Sequence, residues 1–542
     1  MSDKQKSFVK GAAILGAAGL AVKVIGAFFR VPLTNIIGAE GLANYQVAYP
    51  TYALLLVISS AGLPAAISRI VSERVTLGDY RGAHRTFQTA FRMLLVFGVI
   101  TTSLMFSFSD IIAGASKIPS AHLSLKMIAP SLFFVSVLSA YRGYFQGLQM
   151  MFPTALTQIV EQAVKLGAGI YLASLWVGKG VEYGAAGALL GVTISEILAL
   201  VVIIFIYNRK KRQISKLRRQ SPGLMHRPKR SSAFELVSIA VPITLGACVM
   251  PIVNFIDTAI VTNTLSAIDY SAFNPLSPTA SFGVLTGAVN TLVNMPAVLS
   301  LALCMSLVPA ISEARAKNDD IALSSRSGMG FKLALLIGLP CSVGLYLLAE
   351  PVITLLYSRG LNANEIAVGA QLLKTLSVGV LFLTMLQSMT GVLQGAGLQW
   401  VPFFSLLIGA GVKLAVSLVL IKIPSVNVNG AAIGTAACYG IAALINTIVV
   451  LARTRARVRI ASGLLTPLLS AAVMGVVVHF MYRSLLPELG GAYTVIACIA
   501  TAVLVYVAML FFTGALKKND MAFIPGGGRI TRFINKLGFW ES

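Results

Sequence analysis

The chain has 542 residues, of which 56% are hydrophobic and only 11% charged, and it carries a net charge of +24. Its mean hydropathy is +0.82. A soluble domain has about a quarter of its residues charged, so a water-solvated globule is excluded, and apolar runs of about 20 residues without period-two alternation point to an all-α polytopic membrane protein, not a barrel.

Read in order, the apolar runs predict helices over 8–36, 42–74, 86–113, 121–148, 152–177, 183–208, 233–263, 280–314, 327–350, 365–396, 400–422, 429–452, 462–485 and 491–516, about fourteen transmembrane helices. The charged start MSDKQK precedes an apolar run too long for a signal peptide, so this run is read as helix one. Pro32, Pro64, Pro130, Pro242, Pro251, Pro296, Pro309 and Pro340 fall in or near spans, and kinks are expected at some of them.

The cations are not spread evenly. Arg74, Arg81, Arg85 and Arg92, the segment 209–230, then Arg315, Lys317 and Arg326, and finally Arg453, Arg455, Arg457 and Arg459 all follow even-numbered helices. The intervening loops carry few cations. The positive-inside rule therefore places both termini in the cytoplasm, and it explains the net charge without a nucleic-acid partner.

A weak internal repeat runs through the chain at an offset of about 240 to 248 residues. Gly143/Gly391, Gln146/Gln394, Gly147/Gly395 and Lys165/Lys413 match, as do Leu63-Pro64-Ala65/Val308-Pro309-Ala310, Phe91-Arg92/Phe331-Lys332 and Gly184-Ala185-Ala186/Gly430-Ala431-Ala432. The offset spans six helices, so the copies share one orientation, with a pseudo-twofold along the membrane normal. The expected organisation is a six-helix lobe over 1–208, a basic cytoplasmic linker over 209–232, a second six-helix lobe over 233–452, two additional helices over 453–516 and a cytoplasmic tail over 517–542. The glycines of RGYFQG and LQGAGL are read as permitting tight turns between consecutive helices.

Charges inside spans are costly and face a protein interior or water. Lys23 and Arg30 share a face of helix one and are candidates for an anionic group, phosphate above all; Arg30 could equally snorkel to the outer interface. Helix five carries Gln158, Glu161, Gln162 and Lys165, with Glu161 and Lys165 spaced as an i,i+4 ion pair. That stripe either contacts sugar or holds the bundle together. Arg142, at the end of helix four, is either a headgroup-phosphate contact or an ordinary positive-inside residue. Asn254 and Asp257 in helix seven are candidates for coupling Na⁺ or H⁺. Lys413 repeats Lys165 without the acid, because Ala410 stands near its place. The basic 209–230 segment is a solvated loop or a dock for anionic lipid.

No catalytic constellation is present. His84, His122, His226 and His479 are isolated, and no phosphate-binding glycine loop precedes a Lys-Ser/Thr. Cys248, Cys304, Cys341, Cys438 and Cys498 lie singly in apolar segments and read as small hydrophobes. No cofactor or metal is expected beyond a coupling ion.

GAFFRVPLTNIIGAEGLANYQVAYPTY, GLPAAISRIVSE, RGYFQGLQMMFPTALTQIVEQAVKL and VPAISEA resemble the polysaccharide-transporter branch of the multidrug/oligosaccharidyl-lipid/polysaccharide exporter superfamily. Within it they are most similar to the stage V sporulation protein B-like proteins and Gram-positive lipid II flippases. The resemblance covers helices one to twelve. It implies two lobes around a central cavity, alternating access and outward movement of an undecaprenyl-pyrophosphate-linked saccharide in the bacterial cytoplasmic membrane. It also implies two extra helices forming a groove for the lipid tail, with envelope-synthesis enzymes as further partners. The proteobacterial-type flippases carry cavity arginines in helices one, two and eight. Here helix two has no cation in TYALLLVISSAG, and helix eight offers only Asn290 and Asn294, which leaves the saccharide open. Two rivals remain: a cation-coupled drug antiporter, which predicts an acidic cavity, and a non-transporting scaffold, which predicts functional loops and silent cavity residues.

Overall fold

A computed structural model describes residues 3–60, 62–220, 232–268, 274–456 and 461–515. Within them the backbone is helical, as a chain in lipid requires if its amides are to be satisfied internally. The chain forms two compact units, the first ending at Ser266 and the second starting at Ala267. The first contains α1 (Asp3–Ser60), α2 (Gly62–Thr76), α3 (Tyr80–Ser107), α4 (Ser109–Ala115), α5 (Ala121–Gly147), α6 (Phe152–Trp176), α7 (Val181–Gln220) and α8 (Ser232–Ser266). The second contains α9 (Pro278–Gly283), α10 (Asn290–Ala316), α11 (Asp320–Leu347), α12 (Ala349–Tyr357), α13 (Ala363–Gly395), α14 (Trp400–Leu420), α15 (Asn429–Thr454), α16 (Thr466–Leu489) and α17 (Gly491–Phe512). A π-helical stretch, Val284–Val289, joins α9 to α10.

Among the described residues eleven helices are long and apolar enough to cross a membrane. The first of these merges two spans, because α1 is interrupted at Gly38, whose φ of 64° is reached without strain only by glycine. Neither α6, with its polar stripe, nor α8 is among the eleven. Splitting the first span and adding these two recovers the fourteen expected segments.

The sequence repeat reappears as repeated backbone geometry. Gly78 after α2 and Asn318 after α10 both adopt positive φ. The bonds Leu77 N→Glu73 O, Gly78 N→Val75 O and Asp79 N→Arg74 O recur as Lys317 N→Glu313 O, Asn318 N→Arg315 O and Asp319 N→Ala314 O. Asp79 and Asp319 then cap the next helix, accepting from Gly82 N at 2.7 Å and Ala322 N at 2.9 Å. The following span breaks at Phe108 in one unit and at Leu348 in the other. Gln149 and Gly397 take matching left-handed positions after α5 and α13.

One expectation needs correction. Of the glycines in RGYFQG and LQGAGL, Gly397 serves the turn, whereas the repeated pairs Gly143/Gly391 and Gly147/Gly395 are not turn residues. An added Cβ on Gly143 would lie 2.8 Å from Pro64 O, and one on Gly147 would lie 2.6 Å from Val71 Cβ; those on Gly391 and Gly395 would strike Cys304 and Val308. They let α5 lie against α2 and α13 against α10, as small residues do in membrane bundles. The turn itself uses Gln149 and Gly397. Pro32, Pro130, Pro242, Pro251, Pro296, Pro309 and Pro340 sit inside helices, and among the described residues the helical runs break at Gly38, Phe108 and Leu348.

The basic segment expected as a loop is partly helix: α7 continues through 209–220. Its remainder, 221–231, lies outside the described residues, as do Arg457, Arg459 and the tail over 517–542. The first unit extends to Ser266 because α8 packs on α1, α2 and α3, whereas the lobe division at 208/233 follows the sequence repeat. Gly62, where α2 starts, donates its amide to Thr244 Oγ1 of α8 at 3.1 Å. Arg74 of α2 reaches Glu235 of α8 at 2.8 Å and also bonds Gly82 O and Thr86 Oγ1.

In the second unit α13 is central. Ser388 donates to Gly330 O at 2.7 Å and Thr384 to Ala334 O at 3.2 Å, while Ser300 donates to Thr384 O at 3.1 Å. The two additional helices dock on this unit. α16 packs on α11, and Tyr506 of α17 donates its hydroxyl to Leu336 O at 3.0 Å.

Candidate functional site

The polar interior of the first unit is assembled by close helix packing. Gly191 of α7 approaches Gly169 of α6 so tightly that an added Cβ would meet its Cα at 2.3 Å, and Gly187 abuts Leu172 O. Such contacts draw α6 and α7 together without bulky side chains between them. Phe29 of α1 closes over Gly169. Polar residues of α6 are thereby enclosed by α1, α5 and α7.

Arg142 leaves α5 and reaches α6, where its Nη2 lies 2.9 Å from Glu161 Oε2 and its Nε donates to Thr157 Oγ1 at 3.1 Å. Both charged side chains are largely buried, at 13% and 19% exposure. Charge-assisted bonds of this kind are roughly twice as strong as neutral ones. Gln162 Nε2 donates to Glu161 Oε1 at 3.3 Å, and Gln158 Oε1 is buried without a hydrogen-bond partner.

The expected Glu161–Lys165 pair is therefore replaced. Glu161 turns to Arg142, and Lys165 turns to aromatic rings, with Nζ 4.9 Å from the Tyr49 centroid and 5.3 Å from that of Phe29. The physical reason is geometric. A guanidinium arriving from α5 offers two aligned donors, which a single flexible ammonium on the same helix cannot match. Ring faces attract a cation by about 0.5–2 kcal/mol without neutralising it.

Tyr45, Tyr49 and Tyr52 form a ladder along α1. Tyr45 and Tyr49 stack at 5.6 Å, and Tyr49 and Tyr52 lie 5.9 Å apart. Arg30 stands over Tyr45 at 5.9 Å. On α7, Glu196 is 3% exposed and faces Arg142, Glu161 and Lys165.

The structure thus gathers Arg30, Arg142, Gln158, Glu161, Gln162 and Lys165 in one region. Lys23 stands apart and exposed further along α1. Asn254 is exposed and Asp257 half-buried on α8. Two contributors escaped the sequence reading. Glu196 is a single acid in the apolar run GVTISEILALVV, and intramembrane charge alone should have marked it. The tyrosine ladder has i, i+4, i+7 spacing, which places the rings on one helix face.

Chemically the region holds three cations, Arg30, Arg142 and Lys165, against two carboxylates, Glu161 and Glu196. It is an aromatic-lined polar interior with a basic excess, suited to hold an anion and lacking a nucleophile poised for catalysis. A duplicated helical bundle with such an interior defines a multi-pass membrane protein.

A family model described as "Polysaccharide biosynthesis protein" matches residues 8–315, more than half of the chain. The chain belongs to this family. It is 26% identical over 97% of its length to stage V sporulation protein B of Bacillus subtilis (strain 168), covering 99% of that protein. It is 28% identical to the lipid II flippase MurJ of the same organism, covering 81% of each chain. Among solved structures, lipid II flippase MurJ in an inward closed conformation superimposes with a TM-score of 0.66 at 16% identity, covering 92% of this chain and 98% of that one; this likeness concerns the fold.

Proposed function

We propose that the protein is a flippase that moves an undecaprenyl-pyrophosphate-linked saccharide, lipid II or a related polysaccharide precursor, from the inner to the outer leaflet for cell-envelope biogenesis. The observation that carries this reading is Lys165: a half-buried ammonium in a basic-excess interior, faced by Tyr49 and Phe29 and not paired to a carboxylate by an ion pair. Such a group keeps its charge available for an incoming phosphate. Arg30 adds a second cation on the same aromatic ladder, and Arg142 a third that Glu161 holds in the unliganded protein.

The relatives' names support a lipid-linked precursor as the substrate class. Transport proceeds by alternating access of the two lobes, and pyrophosphate drives it only through different affinities for the two states. Lys23, exposed on α1, makes the first encounter. Gln158 and Gln162 contact sugar, and the groove formed by α16 and α17 takes the lipid tail. Asn254 and Asp257 are candidates for the coupling Na⁺ or H⁺. Both termini are cytoplasmic, and envelope-synthesis enzymes supply and consume the lipid. A drug antiporter calls for an acidic interior, and the excess here is basic.

Flipping assays on reconstituted protein test this, comparing lipid II, other undecaprenyl-pyrophosphate saccharides and cationic dyes. The expected result is transport of a pyrophosphate lipid that Lys165→Gln with Arg30→Gln abolishes while the protein stays folded. Unchanged flipping by that double variant, or transport of dyes alone, overturns the proposal.

A further inference from the structure

Two helices of the first unit change character along a single outer face. On α3, Arg85, Arg92, Val96 and Val99 are exposed, on the side opposite the buried Ala83, Phe87, Ala90 and Leu94. On α7, Leu198, Val201, Phe205, Arg209, Arg212 and Lys216 are exposed at spacings of three and four, opposite the buried Ile203 and Ile214. Such spacings keep residues on one helix face. Each face is therefore apolar along the span and cationic at its end, and the change falls between Arg92 and Val96 on α3 and between Phe205 and Arg209 on α7.

Aromatic rings join the two helices at this level. α5 packs against both α3 and α7. Tyr207 of α7 lies 5.9 Å from Phe87 of α3 and 5.3 Å from Tyr141 of α5, and Phe91 of α3 lies 5.9 Å from Tyr141. Phe91, Tyr141 and Tyr207 are half-buried, and amphipathic rings collect where a membrane meets water. Phe91 adjoins Arg92, and Tyr207 stands two residues before Arg209, so the rings and the change of face coincide. The Arg209 guanidinium lies 4.4 Å from the Phe205 ring centroid, which sets a cation directly at the edge of the apolar face.

These cations have no acid on their own helices: α3, α5 and α7 beyond Glu196 contain no Asp or Glu. Among the described residues no ion pair engages Arg85, Arg92, Arg209 or Arg212. A cationic stripe that continues an apolar one matches a ligand with an anionic head and hydrocarbon chains. A nucleic acid or an acidic protein would meet the cations and leave the adjoining apolar faces unmatched.

We propose that this end of α3 and α7 binds an anionic glycerophospholipid of the adjacent leaflet. Its phosphodiester meets Arg92 and Arg209, with Arg85 and Arg212 beyond them, its acyl chains lie on the apolar faces, and Tyr141 and Tyr207 stand at the level of the glycerol. The site shares no residue with the polar interior around Lys165, so it stands or falls independently of the flippase reading.

The test uses the full chain in phosphatidylcholine vesicles with a trace of phosphatidylglycerol bearing a photoreactive acyl chain. Crosslinked peptides are mapped, and unlabelled phosphatidylglycerol is added to find the mole fraction that halves the labelling. Labelling is expected on α3 and α7, with no saturable labelling from the matching phosphatidylcholine probe. Arg92→Gln with Arg209→Gln should raise the half-displacing fraction about 25-fold, or about fivefold for each cation at about 1 kcal/mol. Lys117→Gln with Lys179→Gln, which removes equal charge elsewhere on the first unit, should leave it unchanged. All four residues are exposed, so these variants are expected to fold, and circular dichroism verifies it. Equal labelling by the phosphatidylcholine probe, an unchanged half-displacing fraction in the arginine pair, or an equal rise in the lysine pair overturns the site. Displacement of the probe by glycerol phosphate identifies a site for soluble phosphate, and displacement by RNA or polyglutamate at matched charge identifies a surface for a macromolecule; either result overturns the lipid proposal.

Discussion

Replacing Arg142 by methionine removes the guanidinium while keeping much of its length, and leaves Glu161 without its counter-charge. Arg142 supplies two bonds, 2.9 Å to Glu161 Oε2 and 3.1 Å to Thr157 Oγ1. Glu161 is only 19% exposed, so water replaces little of what is lost. Stranding one member of a buried pair costs about 3–5 kcal/mol; partial exposure places Arg142→Met toward the lower end, near ~3 kcal/mol. Glu161→Gln strands the arginine instead and should cost a similar amount. The double variant carries no stranded charge, and replacing a whole buried pair by neutral groups is often neutral in stability. The two losses should therefore not add, and the coupling between them should exceed about 2 kcal/mol, well outside the ~0.5 kcal/mol scatter of independent sites. The assay is a double-mutant cycle on detergent-solubilised protein, read by equilibrium unfolding in denaturant. A parallel cycle on Glu161→Gln and Lys165→Gln should show the smaller coupling of residues joined by no ion pair. Additive losses for Arg142 and Glu161, with strong coupling for Glu161 and Lys165, would refute the assignment of partners.

Further outcomes follow from other contacts. Gly147→Val should be destabilising by about 1–3 kcal/mol or more, as overpacking is, because its Cβ would lie 2.6 Å from that of Val71, whereas Gly114→Ala meets nothing within 4 Å and should be tolerated; thermal unfolding compares the two. Tyr49→Leu removes a ring from Lys165 and should weaken pyrophosphate binding by roughly two- to tenfold, the range of one cation–π contact of about 0.5–1.4 kcal/mol; equilibrium binding of a pyrophosphate lipid measures it. Arg74→Gln releases Glu235 and should raise the rate at which protease cuts near the start of α8, with Glu235→Gln giving the same result and the double variant no more. Glu313 has its carboxyl held below the usual range by the hydrogen bond from Lys317, then by the Lys317 and Arg326 charges; a lowered folded pKa gives stability present above the unfolded value and lost as pH falls through the folded one. Its effect should be small and erased by high salt, because the group is on the surface; acid unfolding of Glu313→Gln against the wild type checks it.

The number of spans, the duplication and the basic-excess interior were legible in the sequence, for identifiable reasons. Span count follows from apolar runs, and the repeat survives where close helix packing restricts the side chain, at Gly143/Gly391 and Gly147/Gly395. Partners across helices were not legible. Glu161 and Lys165 stand four apart, and spacing cannot reveal that Arg142, nineteen residues earlier in sequence, lies closer to the carboxylate in space. The repeated glycines misled in the same manner, since a glycine for close packing and a glycine for a turn look alike until the facing helix is known. Glu196 shows the opposite failure: a single acid in an apolar span was visible and went unweighed because it matched no pattern.

α7 has one more consequence. At about 1.5 Å per residue its 40 residues make a rod of about 60 Å, roughly twice the thickness of the hydrocarbon layer. The segment from Arg209 to Gln220 thus continues the helix, and Ile214 within it is 6% exposed and belongs to the packed cluster that holds Leu63, Ala66 and Leu236. The first cations of the basic run, Arg209 to Arg212, ride on this helix, with the Arg209 guanidinium 4.4 Å from the Phe205 ring centroid, so helix geometry fixes their spacing where a loop would leave it free.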